Sequence, residues 1–194
     1  MRKMDYTELR EKVRLMIKPQ RFIHSLGVAE TAARLAERFG ESTSDALIAG
    51  IYHDAYRYSA TVDSILLLEN AGFVLDDEEK REPMLLHGPL AAYHFESDAG
   101  EEVSDALKRA VRHHTLGSVE MGRLGGIIYI ADYMEPGRRH LTDTDRREIL
   151  SRSTIEAMVL DIIEREKPYL ESTGGGLAKV TKELHSFLRD GGKL

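Results

Sequence analysis

An all-α fold follows from three features of the sequence. Apolar residues recur at intervals of three and four through most of the chain, the period of a helix with one buried face. No segment alternates apolar and polar residues over a strand's length. Glycine or proline stands just past several periodic runs, at Gly40, Gly72, Gly117 and Pro136-Gly137, where helices stop. With 194 residues and no internal repeat, the chain can bury a core as one domain. We read 1–194 as that domain, with a core over about 18–140 and C-terminal helices over about 141–194.

The first predicted helix covers about 5–17, before Pro19 interrupts, and the second about 21–39. Val28, Ala32, Leu35 and Phe39 share one stripe of the second, and Gly40 ends it. Thr43 or Ser44 caps a third helix, rich in Ala and Ile, over about 44–56, and a fourth runs over about 61–71. Residues 75–83, L-D-D-E-E-K-R-E-P, read as a solvated loop. Helices follow at about 87–96, 101–114 and 120–134, then a long amphipathic stretch at about 143–170 and a last helix at about 176–189. Gly174-Gly175-Gly176 reads as a flexible hinge, without the strand context that a phosphate loop needs.

The chain has no cysteine, so disulfides and thiolate ligands are excluded, and any metal must be held by His, Asp or Glu. That composition fits a reducing cytoplasm, the expected location. The 27 basic and 33 acidic residues leave a net charge of -6, which argues against a nucleic-acid partner bound by phosphate neutralisation. A small anionic substrate stays compatible, because bound divalent cations would reverse the local field. The opening M-R-K-M-D-Y is charged, unlike a signal peptide. No apolar run approaches the roughly 18 residues of a membrane span. The apolar stripe of the 143–170 stretch leaves a homodimer open.

Candidate ligands stand out by context. His53 and Asp54 adjoin at the end of the apolar run A-L-I-A-G-I-Y-H-D, where a cation would compensate the buried charge. His24 shares the stripe of Val28, Ala32 and Leu35 and points inward. Asp132 sits in the equally apolar G-G-I-I-Y-I-A-D-Y and needs a partner. His87 starts a helix and His114 closes one. Imidazole and carboxylate donors suit divalent first-row metals, and a carboxylate can bridge two ions. His113 reads as a rim residue, and His94, His140 and His185 as surface residues.

In order, His24, His53-Asp54, His87, His114 and Asp132 form the H…HD…H…H…D signature of dinuclear hydrolases of the HD superfamily. The chain resembles the bacterial symmetrical diadenosine-tetraphosphate hydrolases of that superfamily, the YqeK type. The resemblance is carried by R-F-I-H-S-L-G-V at 21–28, A-G-I-Y-H-D at 49–54, L-L-H-G-P-L-A-A at 85–92, V-R-H-H-T-L-G at 111–117 and I-I-Y-I-A-D-Y-M-E-P-G-R at 127–138. It implies an HD-domain helical bundle and a nucleotide substrate, diadenosine tetraphosphate, cleaved to two ADP. It also implies two divalent metal ions, commonly iron, with manganese or zinc as alternatives. His24, His53, Asp54 and Asp132 would hold one ion, and Asp54, His87 and His114 the other, with Asp54 bridging.

The resemblance further implies a metal-bridging hydroxide that attacks phosphorus, with Asp54 at the reacting centre. Arg57 and Arg138 are the candidates for offsetting charge in catalysis, and Thr115, Gly117 and Arg138 for contacting substrate. Glu135 could orient a ligand. Three positions depart from the family pattern: Arg57 replaces a lysine, Leu116 replaces a threonine, and Gly174–Gly176 replaces the usual C-terminal sequence. Other HD phosphohydrolases, an HD di-iron oxygenase and a non-catalytic nucleotide-binding protein are the rival readings.

Overall fold

The computed structural model describes residues 5–139, 141–172 and 174–194, and all regular structure among them is helical. The elements are α1 (Tyr6–Met16), α2 (Pro19–Phe39), α3 (Thr43–Tyr52), α4 (Asp63–Asn70), α5 (Asp77–Arg81), a 3₁₀ turn (Pro83–Leu86), α6 (His87–Ala99), α7 (Asp105–Arg112), α8 (Gly122–Met134), α9 (Asp143–Leu150), α10 (Ile155–Ser172) and α11 (Lys179–Arg189).

The bundle is organised around α8. Every residue from Leu124 to Ala131 is buried, so this helix is apolar on all sides and must be enclosed. Helices α2, α3, α7 and α10 enclose it. One apolar cluster extends from Leu9 of α1 to Leu188 of α11, so the C-terminal helices share the core of the rest. A small second cluster, Leu68, Leu75, Leu86 and Leu90, lies under the segment between α4 and α6.

Two close helix contacts depend on glycine. A Cβ on Gly50 of α3 would lie 2.6 Å from Ala29 Cα, so α3 rests on the backbone of α2. A Cβ on Gly88 would lie 2.8 Å from the Arg112 carbonyl oxygen, which lets the start of α6 meet the end of α7. The first contact lies one turn before His53, and the second brings His87 beside the turn that carries His114.

Several boundaries differ from the sequence reading. Pro19 opens α2 at its first turn, where a missing N–H costs nothing. Ser42 caps α3, its hydroxyl accepting from Asp45 N at 3.2 Å. Helix α3 ends at Tyr52, after which the chain continues in turns that present His53 and Asp54 from the helix terminus. Ser104 caps α7, so that helix starts at Asp105. The 143–170 stretch is two helices, separated where Thr154 Oγ1 accepts from Ala157 N at 3.1 Å and starts α10.

The segment read as a solvated loop contains α5, closed by a capping box between Asp76 and Glu79. Glu79 is buried because Arg112 of α7 donates to both of its oxygens, at 2.5 and 2.8 Å. Gly174 and Gly176 have positive φ, and the N–H groups of Gly175 and Gly176 donate to Leu170 O at 3.2 and 3.0 Å, so the glycine run terminates α10. The apolar stripe of α10, including Met158, Val159, Ile162 and Ile163, is buried in the chain's own core. Among the described residues, no helix is long and apolar enough to cross a membrane.

Candidate metal centre

Five backbone segments deliver the site. His24 comes from the second turn of α2, His53 and Asp54 from the end of α3, His87 from the start of α6, His114 from the turn after α7, and Asp132 from the end of α8. The His53-Asp54 turn is fixed from outside. Tyr52 and Tyr56 donate to Asp98 Oδ2 at 2.6 and 2.9 Å, and Lys12 pairs with Asp98 Oδ1 at 2.7 Å.

Asp54 divides its neighbours between its two oxygens. Oδ2 faces His53 Nε2 at 3.2 Å and His24 Nε2 at 3.7 Å. Oδ1 faces His87 Nε2 at 3.2 Å and His114 Nε2 at 3.9 Å. Asp132 Oδ1 lies 3.0 Å from His24 Nε2 and 3.9 Å from His53 Nε2. His24, His53 and Asp132 form one group with ligand atoms within 4.8 Å of one another; His53, Asp54 and His114 form a second, which places His53 between the two halves.

The hydrogen bonds assign the imidazole tautomers. Nδ1 of His53 meets Gly50 O at 2.7 Å, Nδ1 of His87 meets Met84 O at 2.5 Å, and Nδ1 of His114 meets Val111 O at 2.8 Å. A carbonyl only accepts, so each Nδ1 carries hydrogen and each neutral ring turns a lone pair inward from Nε2. Nε2 of His87 and of His114 then face each other at 3.0 Å. The Thr115 hydroxyl, 3.2 and 3.0 Å from these two atoms, has a single proton to give. Nε2 of His24 and of His53 are buried without a well-aligned hydrogen-bond partner, although carboxylates lie close. Convergent lone pairs and carboxylate oxygens need positive charge among them. Ligands about 2.0–2.2 Å from an ion stand roughly 3–3.5 Å apart, close to the spacings here. The residues therefore fit divalent cations.

The charges respond accordingly. Burial pushes the Asp54 carboxyl up, but His53 and His87 outweigh burial and hold it well below the usual carboxylate range. Burial likewise opposes ionisation of Asp132, and the nearby His24, then His53 and Arg138, overcome it. His114 is pushed down to about 3 by burial, then by His87 and His53, which keeps it neutral and able to ligate.

The second layer is as specific. His24 Nδ1 meets the Glu135 carboxylate at 3.1 Å, and Glu135 is buried. Arg138 donates through Nε to Asp132 O at 2.8 Å and pairs with the Asp132 carboxylate. Arg57 reaches over His87, with Nη1 3.3 Å from Nδ1. Arg57, Arg138 and Thr115 all line the cavity above Asp54, which has a volume of about 220 Å³. Gly117 does not line it: with φ +70° it is buried against Leu184 and Tyr129, and lets the chain turn after Thr115.

Other histidines lie outside the cluster. His113 is half-buried and pushed down to about 4, by burial and then by Arg112 and Arg109. His94, read as a surface residue, is half-buried and stacks on Tyr56 with centroids 4.7 Å apart. His185 is also half-buried and pairs with Glu164 at 2.5 Å. His140 falls outside the described residues.

Sequence reasoning missed four cavity residues, Arg21, Tyr129, Tyr133 and Glu166. Arg21, one turn before His24, places Nη1 2.9 Å from Asp54 Oδ2. Its i, i+3 spacing from an inward histidine was the available signal. Glu166 of α10 enters the cavity wall and accepts from the Tyr129 hydroxyl at 3.4 Å. Burial pushes its carboxyl up. No local pattern marks it, because its partners come from α8 by tertiary packing.

Comparison with known proteins gives the family. The HD domain matches residues 21–137. A Bacillus subtilis protein named bis(5'-nucleosyl)-tetraphosphatase, symmetrical, is 35% identical over 171 residues, 83% of this chain and 89% of that one. A Staphylococcus aureus protein of the same name is 31% identical over 152 residues, 78% and 77% of the two chains. A crystal structure from Clostridium acetobutylicum, described as an HD superfamily hydrolase involved in NAD metabolism, superposes with a TM-score of 0.84 at 30% identity, covering 96% of this chain and 97% of that one. With the matched span including every member of the histidine–aspartate cluster, the chain belongs to the HD domain family.

Proposed function

We propose that this protein is a metal-dependent hydrolase that cleaves diadenosine tetraphosphate symmetrically into two ADP. The observation that carries the reading is the division of Asp54, with one oxygen toward His24 and His53 and the other toward His87 and His114. The names of the relatives supply the substrate. In this reading 1–194 is one HD domain acting in the cytoplasm.

His24, His53, Asp54 and Asp132 would hold one divalent ion, and Asp54, His87 and His114 would hold the other. Iron is the proposed metal, and the same nitrogen and oxygen donors accept manganese or zinc. When bound, the ions supply Lewis acidity and ionise a water near neutral pH. The chain's own groups do the rest. Asp54 sets the spacing of the two halves. Glu135 holds the His24 ring by Nδ1, and carbonyls hold the other three rings. Arg21 and Arg57, at the cavity wall, offset charge on the phosphates. Arg138 acts mainly by orienting Asp132, to which it is bound. Thr115 is placed to donate to a phosphate oxygen.

Water adds to the second phosphorus from one adenosine, and the bond from that phosphorus to the central bridging oxygen breaks. ADP leaves, the other product is also ADP, and one water is consumed. The test is turnover by iron- or manganese-loaded protein of diadenosine tetraphosphate beside nucleoside monophosphates and guanosine tetraphosphate. Preference for the dinucleotide by at least tenfold in kcat/KM is expected. Faster hydrolysis of either rival would replace the substrate and keep the centre.

A further inference from the structure

Two larger cavities adjoin the cavity above Asp54, and one residue belongs to the walls of all three. The central cavity has about 220 Å³. A cavity of about 720 Å³ shares Tyr133 and Glu166 with it and adds Leu141, Tyr169 and the mutually paired Asp145 and Arg165. Another, of about 480 Å³, shares Thr115, Tyr129 and Glu166 and extends toward Leu177. Glu166 thus stands where the three meet.

The chemistry at this junction is distinctive. The carboxylates in the central wall are Asp54, Asp132 and Glu166, and the first two face histidines. A further carboxylate beside the polyphosphate path repels phosphate. It suits a part of the substrate that carries hydroxyl donors and no charge. In a dinucleoside polyphosphate that part is the ribose, which lies between the charged chain and the base. The structure repeats this order: arginines and histidines at the centre, Glu166 at the boundary, and beyond it a cavity with an aromatic wall. Tyr169 there is 70% exposed, and a tyrosine face is a stacking surface for a nucleobase.

We propose that Glu166, with the cavity of Tyr133, Leu141 and Tyr169, forms a nucleoside subsite in which the carboxylate accepts hydrogen bonds from ribose hydroxyls and the base lies against the tyrosines. The proposal rests on the nucleotide-hydrolase reading. It assigns nucleotide selection partly to α10, beyond the 21–137 span that matches the HD domain. The centre supplies the chemistry and the C-terminal helix reads the sugar.

The test measures binding of ADP, 2′,3′-dideoxy-ADP and inorganic pyrophosphate to the manganese-loaded protein by calorimetry. Wild-type protein is expected to bind ADP at least about tenfold more tightly than the dideoxy analogue, the loss expected for a hydrogen bond to a charged group. Glu166→Ala should abolish the difference between ADP and the analogue and should not weaken the analogue or pyrophosphate, since it also removes a charge that repels phosphate. Tyr169→Ala should weaken ADP and leave pyrophosphate unchanged. Equal binding of ADP and the analogue by wild-type protein, or equal weakening of all three ligands by Glu166→Ala, would overturn the proposal. Failure of the hydrolase reading shows separately, as no turnover of diadenosine tetraphosphate by the same preparation. Ribose-dependent ADP binding through Glu166 would then still support the subsite.

Discussion

His24 meets the carboxylate of Glu135 through Nδ1, whereas His53, His87 and His114 meet backbone carbonyls. A carboxylate behind an imidazole makes it a stronger and better oriented ligand than a carbonyl does. Glu135 is itself confined: a Cβ on Gly27 or Gly137 would lie within 2.9 Å of its oxygens. Glu135→Ala is expected to weaken the ion at His24, His53 and Asp132 by about 10–100-fold, and to leave the ion at His87 and His114 in place. Calorimetric titration of metal-free protein reads the two sites separately. Equal weakening of both would contradict the assignment.

The contact between α2 and α3 makes a prediction about stability and metal together. A Cβ on Gly50 would lie 2.6 Å from Ala29 Cα, so an added methyl presses α3, which leads to His53, against the backbone of α2, which carries His24. Gly50→Ala is expected to cost about 1–3 kcal/mol in urea unfolding, the range for overpacking a tight core. It should also lower metal affinity. Unchanged stability would mean that the helices can separate freely.

The histidine–aspartate cluster could be read from the sequence because its chemistry is conspicuous there. His53, Asp54 and Asp132 are polar groups inside apolar helices, and such groups need compensation wherever the chain folds. The helix termini at Gly40 and Pro136 were equally visible, since those residues stop helices locally. What stayed hidden depends on partners distant in sequence. Glu79 looked solvated because Arg112, its buried partner, is 33 residues away. Arg21 and Glu166 are ordinary surface charges until α3 and α8 are packed beside them. The break between α9 and α10 was obscured by an amphipathic period that continues across it.

Acid should destabilise the metal-free protein in a defined window. The ordinary histidine value is 6.5, and His113 and His114 are pushed down to about 4 and about 3. Below 6.5 the unfolded chain takes up protons that the folded chain refuses, so stability falls as pH falls. His53 acts in the opposite sense: burial lowers it, but Asp54 and Asp132 outweigh burial and raise it, so its contribution is present at low pH and lost as pH rises. His113→Gln removes one acid-sensitive group outside the metal cluster. The decline in Tm between about pH 6.5 and pH 4 should be shallower in this variant than in wild type. An unchanged slope would exclude His113 as a source.

Asp54 places a carboxylate oxygen 3.2–3.9 Å from Nε2 of all four site histidines. Asp54→Asn keeps its shape and removes its charge. The variant should fold, with far-ultraviolet circular dichroism like the wild type, and its hydrolysis should fall to background because neither half of the site is complete. Metal analysis should find fewer ions per chain. Wild-type activity in the folded variant would rule out a shared carboxylate.

The most direct test of the central claim is the product distribution from diadenosine tetraphosphate incubated with iron- or manganese-loaded protein and separated by ion-exchange chromatography. ADP as the sole nucleotide product is the result predicted, since attack at the second phosphorus leaves two phosphates on each adenosine. AMP and ATP in equal amounts would contradict it, placing the attack one phosphorus away from the position proposed here.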